Sequence, residues 1–318
     1  MNADASAIKA KALPARDALR PLRYALRAPL LLWHIGVHLP LVTILITPLG
    51  AAIRLPSGER LDHRAIRWWQ GGLMRVFGFQ LRRVGTPRTQ ATLFVANHCS
   101  WLDITLMHSQ RALCFVAKSE IARWPLVGWL ASRAGTIYHR RGNNESLSAV
   151  AQTMVAHLRK GDAVGVFPEG GAAGTVDHVR TFHARIFQAC YDAGVPAQPV
   201  ALRYVRGSEP ALSVAFRGEE KFFHNFLRLL GDPGATAEVH FLEPIAVNPE
   251  GRRRMADATR RSIIAALDFG QSLAPCAGTV TALSTADISN VELGSSDLDS
   301  DGLSSDDLDP VAEADAGR

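Results

Sequence analysis

The chain has 318 residues, 47% of them hydrophobic and 20% charged, which is enough apolar material for a full core and excludes a disordered protein. Its formal charge of +5 conceals a division: residues 287–318 hold ten Asp and Glu and one basic residue, Arg318, leaving 34 Lys and Arg against 20 acids in the preceding 286 residues. A body that basic calls for an anionic partner, of which nucleic acid, anionic lipid and acidic small substrates are the candidates. Cys99, Cys114, Cys190 and Cys276 form no C-x-x-C pair, so the spacing indicates neither a zinc motif nor a disulfide framework and suits a reducing compartment.

Residues 1–28 form a basic N-terminal segment with Lys9, Lys11, Arg16, Arg20, Arg23 and Arg27. Leu30 to Ile53 then runs for 24 residues without Asp, Glu, Lys or Arg, long enough to cross a bilayer but interrupted by His34, His38, Pro40 and Pro48. Positive charge on both flanks gives no orientation signal, and the run is too long and its leader too extended for a secretory signal. From Arg64 to Arg83, Ile66, Trp69, Leu73 and Phe77 alternate with arginines at near-helical spacing. That pattern describes either a helix in a membrane interface or a core helix with a solvated basic face. Taken together, residues 29–83 read as a membrane-associated helical segment, and no nucleic-acid motif is present.

Residues 84–270 show short apolar strands alternating with longer helical stretches, which predicts an α/β domain with a central, mostly parallel sheet flanked by helices. The expected strands are 92–96, 113–117, 136–139, 163–167, 199–204, 212–216 and 238–242. The expected helices are 103–109, 126–134, 144–159, 182–193, 221–230 and 249–268. Residues 271–318 read as a disordered acidic tail whose Ser-Asp repeats lack EF-hand spacing and a final Glu.

The chemistry gathers at strand ends. Asn97-His98-Cys99-Ser100-Trp101-Leu102-Asp103 follows the buried strand 92–96. On one continuous helix His98 and Asp103 would point about 140° apart, so one of them must lie outside it for the two to touch. A capping box with Ser100 as N-cap and Asp103 reaching back puts His98 before the cap. There a carboxylate can hold one imidazole nitrogen while the other faces a cleft, as a general base requires; the plainer alternative is a simple capped strand end. Arg140 and Arg141 follow a short strand, Phe167-Pro168-Glu169-Gly170-Gly171 ends another, Val195-Pro196-Ala197-Gln198-Pro199-Val200 leads into a third, and Lys118 adds a further positive group.

In this order the motifs resemble the glycerolipid acyltransferase family that includes bacterial 1-acylglycerol-3-phosphate acyltransferases. The resemblance covers about residues 91–205: His98 and Asp103 match the N-H-x-x-x-x-D motif, Gly135 and Arg141 the second block, Phe167 to Gly170 the third, and Val195, Pro196, Pro199 and Val200 the fourth. It implies transfer of an acyl group from acyl-CoA or acyl carrier protein to a lysolipid hydroxyl, most readily 1-acylglycerol-3-phosphate, at the cytoplasmic face of the inner membrane, with no cofactor and no metal. It assigns His98 as base, Asp103 as its support, Lys118 and Arg141 to the acceptor's anionic head group, and Glu169 and Gly170 to the third wall. Where the third block commonly continues Gly-Thr-Arg-Ser, this chain has Gly170-Gly171-Ala172-Ala173, which opens the alternative of a non-phosphate acceptor such as lyso-ornithine lipid. A hydrolase using Cys99 or Ser100 as nucleophile and a non-catalytic membrane adaptor are the remaining readings; the chain lacks a Gly-x-Ser-x-Gly elbow.

Overall fold

A computed structural model describes residues 17–124, 127–139, 144–172, 176, 178–217 and 220–267. The acidic tail and Arg141 lie outside the described residues.

The N-terminal helix starts at Arg20, ten residues ahead of the apolar run. It passes through α1 (Arg20–Trp33), a π-helical turn (His34–His38) and α2 (Leu39–Leu45) as one stretch of 26 residues, within which an 18-residue window reaches a mean hydropathy of 1.7, long and apolar enough to cross a membrane. Pro40 has no N–H to offer Gly36 and its ring crowds that carbonyl, and the backbone widens into the π turn just before it. A directional hydrogen-bond chain crosses the turn. The Trp33 indole N–H donates to His38 Nε2 at 3.2 Å, the His38 and His34 Nδ1 atoms meet at 3.0 Å, and His34 Nε2 reaches the Trp69 carbonyl at 3.0 Å. The indole can only donate and the carbonyl only accept, so the chain is satisfied with both imidazoles neutral.

Arg23 and Arg27 face the protein. Arg23 Nη1 donates to the Gly231 carbonyl at 3.2 Å, and Arg27 Nη1 to Leu230 and Asp232 at 3.0 and 2.7 Å. They thereby cap the orphan carbonyls at the end of α9 (Phe222–Gly231). The opposite side of the helix, with Leu19, Leu22, Leu26 and Leu30 at helical spacing, is exposed.

After α3 (Pro48–Ala52), α4 (Leu61–Val76) packs on α5 (Leu102–Gln110), and Met74 and Phe77 are buried. For residues 61–77 the packing is therefore that of a core helix with a solvated basic face. The helical expectation through Arg83 is corrected: Gly78, at φ +83, turns the chain out of the helix, and Gln80–Val84 forms β1.

The sheet also contains β2 (Thr92–Ala96), β3 (Cys114–Lys118), β4 (Ile137–His139), β5 (Ala163–Val166), β6 (Ala197–Arg206), β7 (Glu209–Pro210) and β8 (Thr236–Phe241), in the order β1-β8-β6-β2-β5-β3-β4 with β7 beside β6. From β6 to β4 all neighbours are parallel; β8 is antiparallel to β6, and β1 parallel to β8. The central β2 is buried along its whole length, and its alternating side chains enter different cores. Phe94 and Ala96 join the layer with α4, α5 and α9; Leu93 and Val95 join the layer with α7 (Asn144–Lys160), α8 (Gln188–Ala193) and α10 (Gly251–Leu267). α6 (Val127–Arg133) lies between β3 and β4 in the chain.

Two further expectations are corrected. Residues 212–216 form no strand: Leu212–Val214 is a 3-10 turn, and the carbonyls of Ser213 and Ala215 accept from the Arg228 guanidinium instead of from a neighbouring strand. Residues 182–193 become helical only at Ala184, as a 3-10 turn leading into α8.

Candidate active site

His98 follows the C-terminal end of β2, at the edge of the sheet where β3, β4 and β5 also end. Open parallel sheets place their clefts at this edge. Asn97 fixes the strand end by imitating a neighbouring backbone: its Nδ2 donates to the Leu202 carbonyl at 3.0 Å, and its Oδ1 accepts the Leu202 N–H at 2.8 Å. The chain then turns into α5.

Asp103 stands in the first turn of α5 and is fully buried. Its Oδ2 accepts from the Cys99 and Ser100 backbone N–H groups at 2.7 and 2.8 Å and meets His98 Nδ1 at 2.8 Å. Its Oδ1 accepts the Tyr204 hydroxyl at 2.7 Å and the Cys99 thiol at 3.7 Å. The back-reaching half of the capping box is thus present, while Ser100 Oγ accepts from Leu102 N–H at a long 3.4 Å. A carboxylate surrounded by donors is held as an acceptor, which makes His98 Nδ1 the protonated nitrogen and leaves Nε2 with the free lone pair. Nε2 has no hydrogen-bond partner among the described residues.

The ring of His98 is fixed from the other side by Phe167, which stacks on it at 4.2 Å between centroids and 19° between planes; Phe115 stacks behind Phe167 at 5.5 Å. Glu169, buried, ties two loops together. Its Oε1 accepts the His98 backbone N–H at 2.8 Å, and its Oε2 accepts the Arg180 N–H at 3.0 Å. Burial pushes this carboxyl above its ordinary range, opposed by the same two N–H bonds. Gly170 has φ +74, and a Cβ there would lie 3.1 Å from His183 Nε2, so glycine suits both the backbone and the space.

The expected residues are brought together unequally. His98, Asp103 and Glu169 form one bonded unit with Gly170 beside it. Lys118 is exposed at the end of β3, in register with His139 on β4. It shares the sheet edge but lies two strands from β2, about 10 Å at ordinary strand spacing. Tyr204, on β6, was not expected from the sequence. Nothing near residue 204 announces a partner 101 positions away. Cys99 and Ser100 are buried, and burial with the Asp103 charge drives the Cys99 thiol well above its ordinary range, so neither is poised as a nucleophile. His108 is a buried neutral imidazole packed on Phe115, with burial lowering it to about 4. Among the described residues, His98, His108 and His139 form no metal-ligand group.

An aromatic run leads outward from the site. Trp101 packs on Phe77, Phe222 and Phe226, and Phe222 meets Trp124 at 5.1 Å. The Trp101 indole donates to Asn225 Oδ1 at 3.0 Å, and Asn225 Nδ2 donates to Glu220 at 2.9 Å. Glu220 receives a bidentate pair of bonds from Arg228, both at 2.8 Å. α9 and the segment before it are therefore anchored to the start of α5.

The free lone pair of His98 Nε2 suits proton transfer to and from a hydroxyl, and comparison with known proteins gives that chemistry its class. The profile of the acyltransferase family matches residues 82–203. Over 219 residues the chain is 36% identical to a lyso-ornithine lipid O-acyltransferase of Pseudomonas aeruginosa, covering 68% of this chain and 84% of that protein. The chain therefore belongs to the acyltransferase family and is an enzyme of that class. It is also similar to a 1-acyl-sn-glycerol-3-phosphate acyltransferase of Neisseria gonorrhoeae, 33% identical over 127 residues, 40% of this chain and 49% of that one. The crystal structure of a 1-acyl-sn-glycerophosphate acyltransferase from Thermotoga maritima shares the fold, with a TM-score of 0.56 at 18% identity over 77% of this chain and 96% of that chain.

Proposed function

We propose that the enzyme acylates the hydroxyl of lyso-ornithine lipid at the cytoplasmic face of the inner membrane, drawing the acyl group from acyl carrier protein or acyl-CoA. In this reading the lysolipid hydroxyl gives its proton to His98 Nε2 as its oxygen attacks the thioester carbonyl. The tetrahedral intermediate then collapses, the carbon–sulfur bond breaks, and the thiolate takes the proton back from the imidazolium. Asp103 holds the ring and offsets its transient charge. No acyl-enzyme, cofactor or catalytic metal is needed, because the thioester supplies the driving force. Lys118 and Arg141 meet the acceptor's anionic group, and Glu169 and Gly170 shape the wall behind His98.

The observation that favours lyso-ornithine lipid over 1-acylglycerol-3-phosphate is the third block. Gly171 and Ala172 stand where the family's phosphate-acceptor pattern has Thr and Arg, and a dianionic phosphomonoester would lose a bidentate partner there. The similarity to lyso-ornithine lipid enzymes over most of the chain points the same way. Membrane attachment rests on the apolar helix and its exposed leucines.

The test is turnover by the full chain in detergent or membranes, with each labelled donor against both lysolipids, read by mass spectrometry of the products. At least a tenfold higher kcat/KM with lyso-ornithine lipid is expected. A preference for 1-acylglycerol-3-phosphate would overturn the acceptor assignment, and failure on both acceptors with both donors would overturn the lysolipid class.

A further inference from the structure

At the opposite edge of the sheet from His98, three side chains of different chemistry converge. Cys114 is the first residue of β3, His157 lies in the last turn of α7, and Asp162 follows the Gly161 turn into β5. Their ligand atoms all lie within 4.8 Å of one another. Cys114 Sγ stands 3.6 Å from His157 Nδ1, which in turn stands 2.9 Å from an Asp162 carboxylate oxygen. From this geometry we propose that Cys114, His157 and Asp162 form a binding site for a zinc-class divalent ion, with water completing the coordination.

One of the distances is already the one such an ion requires, and the others lie within reach of it. A tetrahedral centre with Zn–S near ~2.3 Å and Zn–N near ~2.05 Å separates the sulfur and nitrogen by roughly 3.6 Å. The Cys114–His157 separation already equals that tetrahedral edge. The His157–Asp162 pair sits at hydrogen-bond length and has to open by only a few tenths of an ångström, at a carboxylate on a turn with a glycine before it. Thiolate, imidazole and carboxylate together suit zinc and exclude magnesium or calcium, which take oxygen ligands. Burial, with Asp162 beside it, holds the Cys114 thiol up at about 12, so a bound ion has to displace that proton; the thiolate and carboxylate then supply two negative charges, which the divalent ion neutralises. The side chains of His157 and Asp162 are 28% and 20% exposed, which gives an ion and its water a route in.

The arrangement around the cluster fits a staple. Gly135, at φ +80 just before β4, would place a Cβ 2.8 Å from Cys114 Sγ, so the sulfur occupies the space a side chain there would fill. An ion would tie the starts of β3 and β5 to the end of α7, far from the reacting groups. The sequence hides the set because its members lie 43 and 5 positions apart, with no short ligand motif.

The experiment titrates Co²⁺ into the full chain in detergent after chelator treatment, following the thiolate-to-cobalt band and the visible absorption of four-coordinate cobalt. One equivalent is expected to produce both bands, Zn²⁺ to bleach them, and Zn²⁺ to raise the melting temperature of the stripped protein. C114S is expected to abolish the thiolate band, H157A and D162N to weaken binding at least 100-fold, and C190A to leave the spectrum unchanged. If a variant fails to fold, the wild-type titration decides. Absence of a thiolate band in the wild-type chain, or its persistence in folded C114S, overturns the proposal. Because the readout is spectroscopic, it stands or fails independently of which lysolipid is acylated.

Discussion

Changing Asp103 to Asn separates the geometry of the His98 pair from its charge. Five donors face the carboxylate: His98 Nδ1, two backbone N–H groups, the Tyr204 hydroxyl and the Cys99 thiol. An asparagine can satisfy the three on the Oδ2 side only by placing its carbonyl there, which puts its NH₂ against Tyr204 and Cys99. The tyrosine hydroxyl can rotate to accept, so the imidazole keeps its orientation and its Nδ1 proton. The cost to folding is one misdirected buried hydroxyl, about 1–3 kcal/mol. What is lost at the transition state is the attraction between carboxylate and imidazolium. At about 4 Å and an effective dielectric of about 20 this is worth about 4 kcal/mol, or about a thousandfold in rate. D103N is therefore expected to melt as a folded protein, to retain its KM for lysolipid, and to lose about three orders of magnitude in kcat, measured by initial rates of labelled acyl transfer. A folded D103N within tenfold of the parent kcat would refute the claim that the carboxylate charge supports the base.

Tyr204→Phe removes one charge-assisted bond to Asp103; we expect kcat to fall about tenfold with KM unchanged, and the same change made in the D103N background to lower kcat little further, because no carboxylate charge is left for the hydroxyl to support. His98→Ala should lower turnover by at least 10²–10⁴-fold with membrane recovery intact, since a positioned general base contributes about that much. Hydrogen bonding to Arg228 holds Glu220 down at about 2 from an ordinary 4.5. A depressed carboxylate stabilises the fold above its unfolded pKa and loses that contribution as pH falls through the folded one. The melting-temperature gap between the parent and E220Q should accordingly be constant above pH 5 and close as pH drops from about 4.5 to about 2; a gap that widens on acidification would contradict the pairing. Replacing Leu22, Leu26 and Leu30 together by Ser should shift the protein from the membrane to the soluble fraction with its melting unchanged, because three half-exposed leucines offer about 3–4 kcal/mol of apolar burial, a few hundredfold in partitioning.

The parts of this molecule that were readable in advance are those whose cause is local. His98 and Asp103 are five positions apart, and a helix start between them is enough to bring them together. Buried parallel strands such as β2 are continuous apolar runs, and they stand out for that reason. β1 is hidden in the sequence because an edge strand reading Gln-Leu-Arg-Arg-Val buries almost nothing, so it shows no period of two. In sequence Arg23 and Arg27 are charges flanking an apolar run, but their partners are carbonyls more than two hundred positions away, and charge alone cannot announce a capping role. Glu169 was legible as a motif residue. Its two backbone bonds, to His98 and Arg180, depend on how β5 lies beside β2 and could not be seen in the motif itself.

The topology explains why motifs separated by tens of residues meet at one strand end. After β2 the chain moves outward to β3 and β4, returns to β5 directly beside β2, and then crosses to β6 on the other side. β2 is thus where the winding changes direction, and the loops after β2 and β5 meet there. Phe167 and Glu169 reach His98 from the β5 side, while Tyr204 and the Leu202 backbone reach Asp103 and Asn97 from β6. Lys118 ends β3, one strand beyond β5 and outside this pair. The His98–Asp103 pair is therefore over-determined by three adjacent strands.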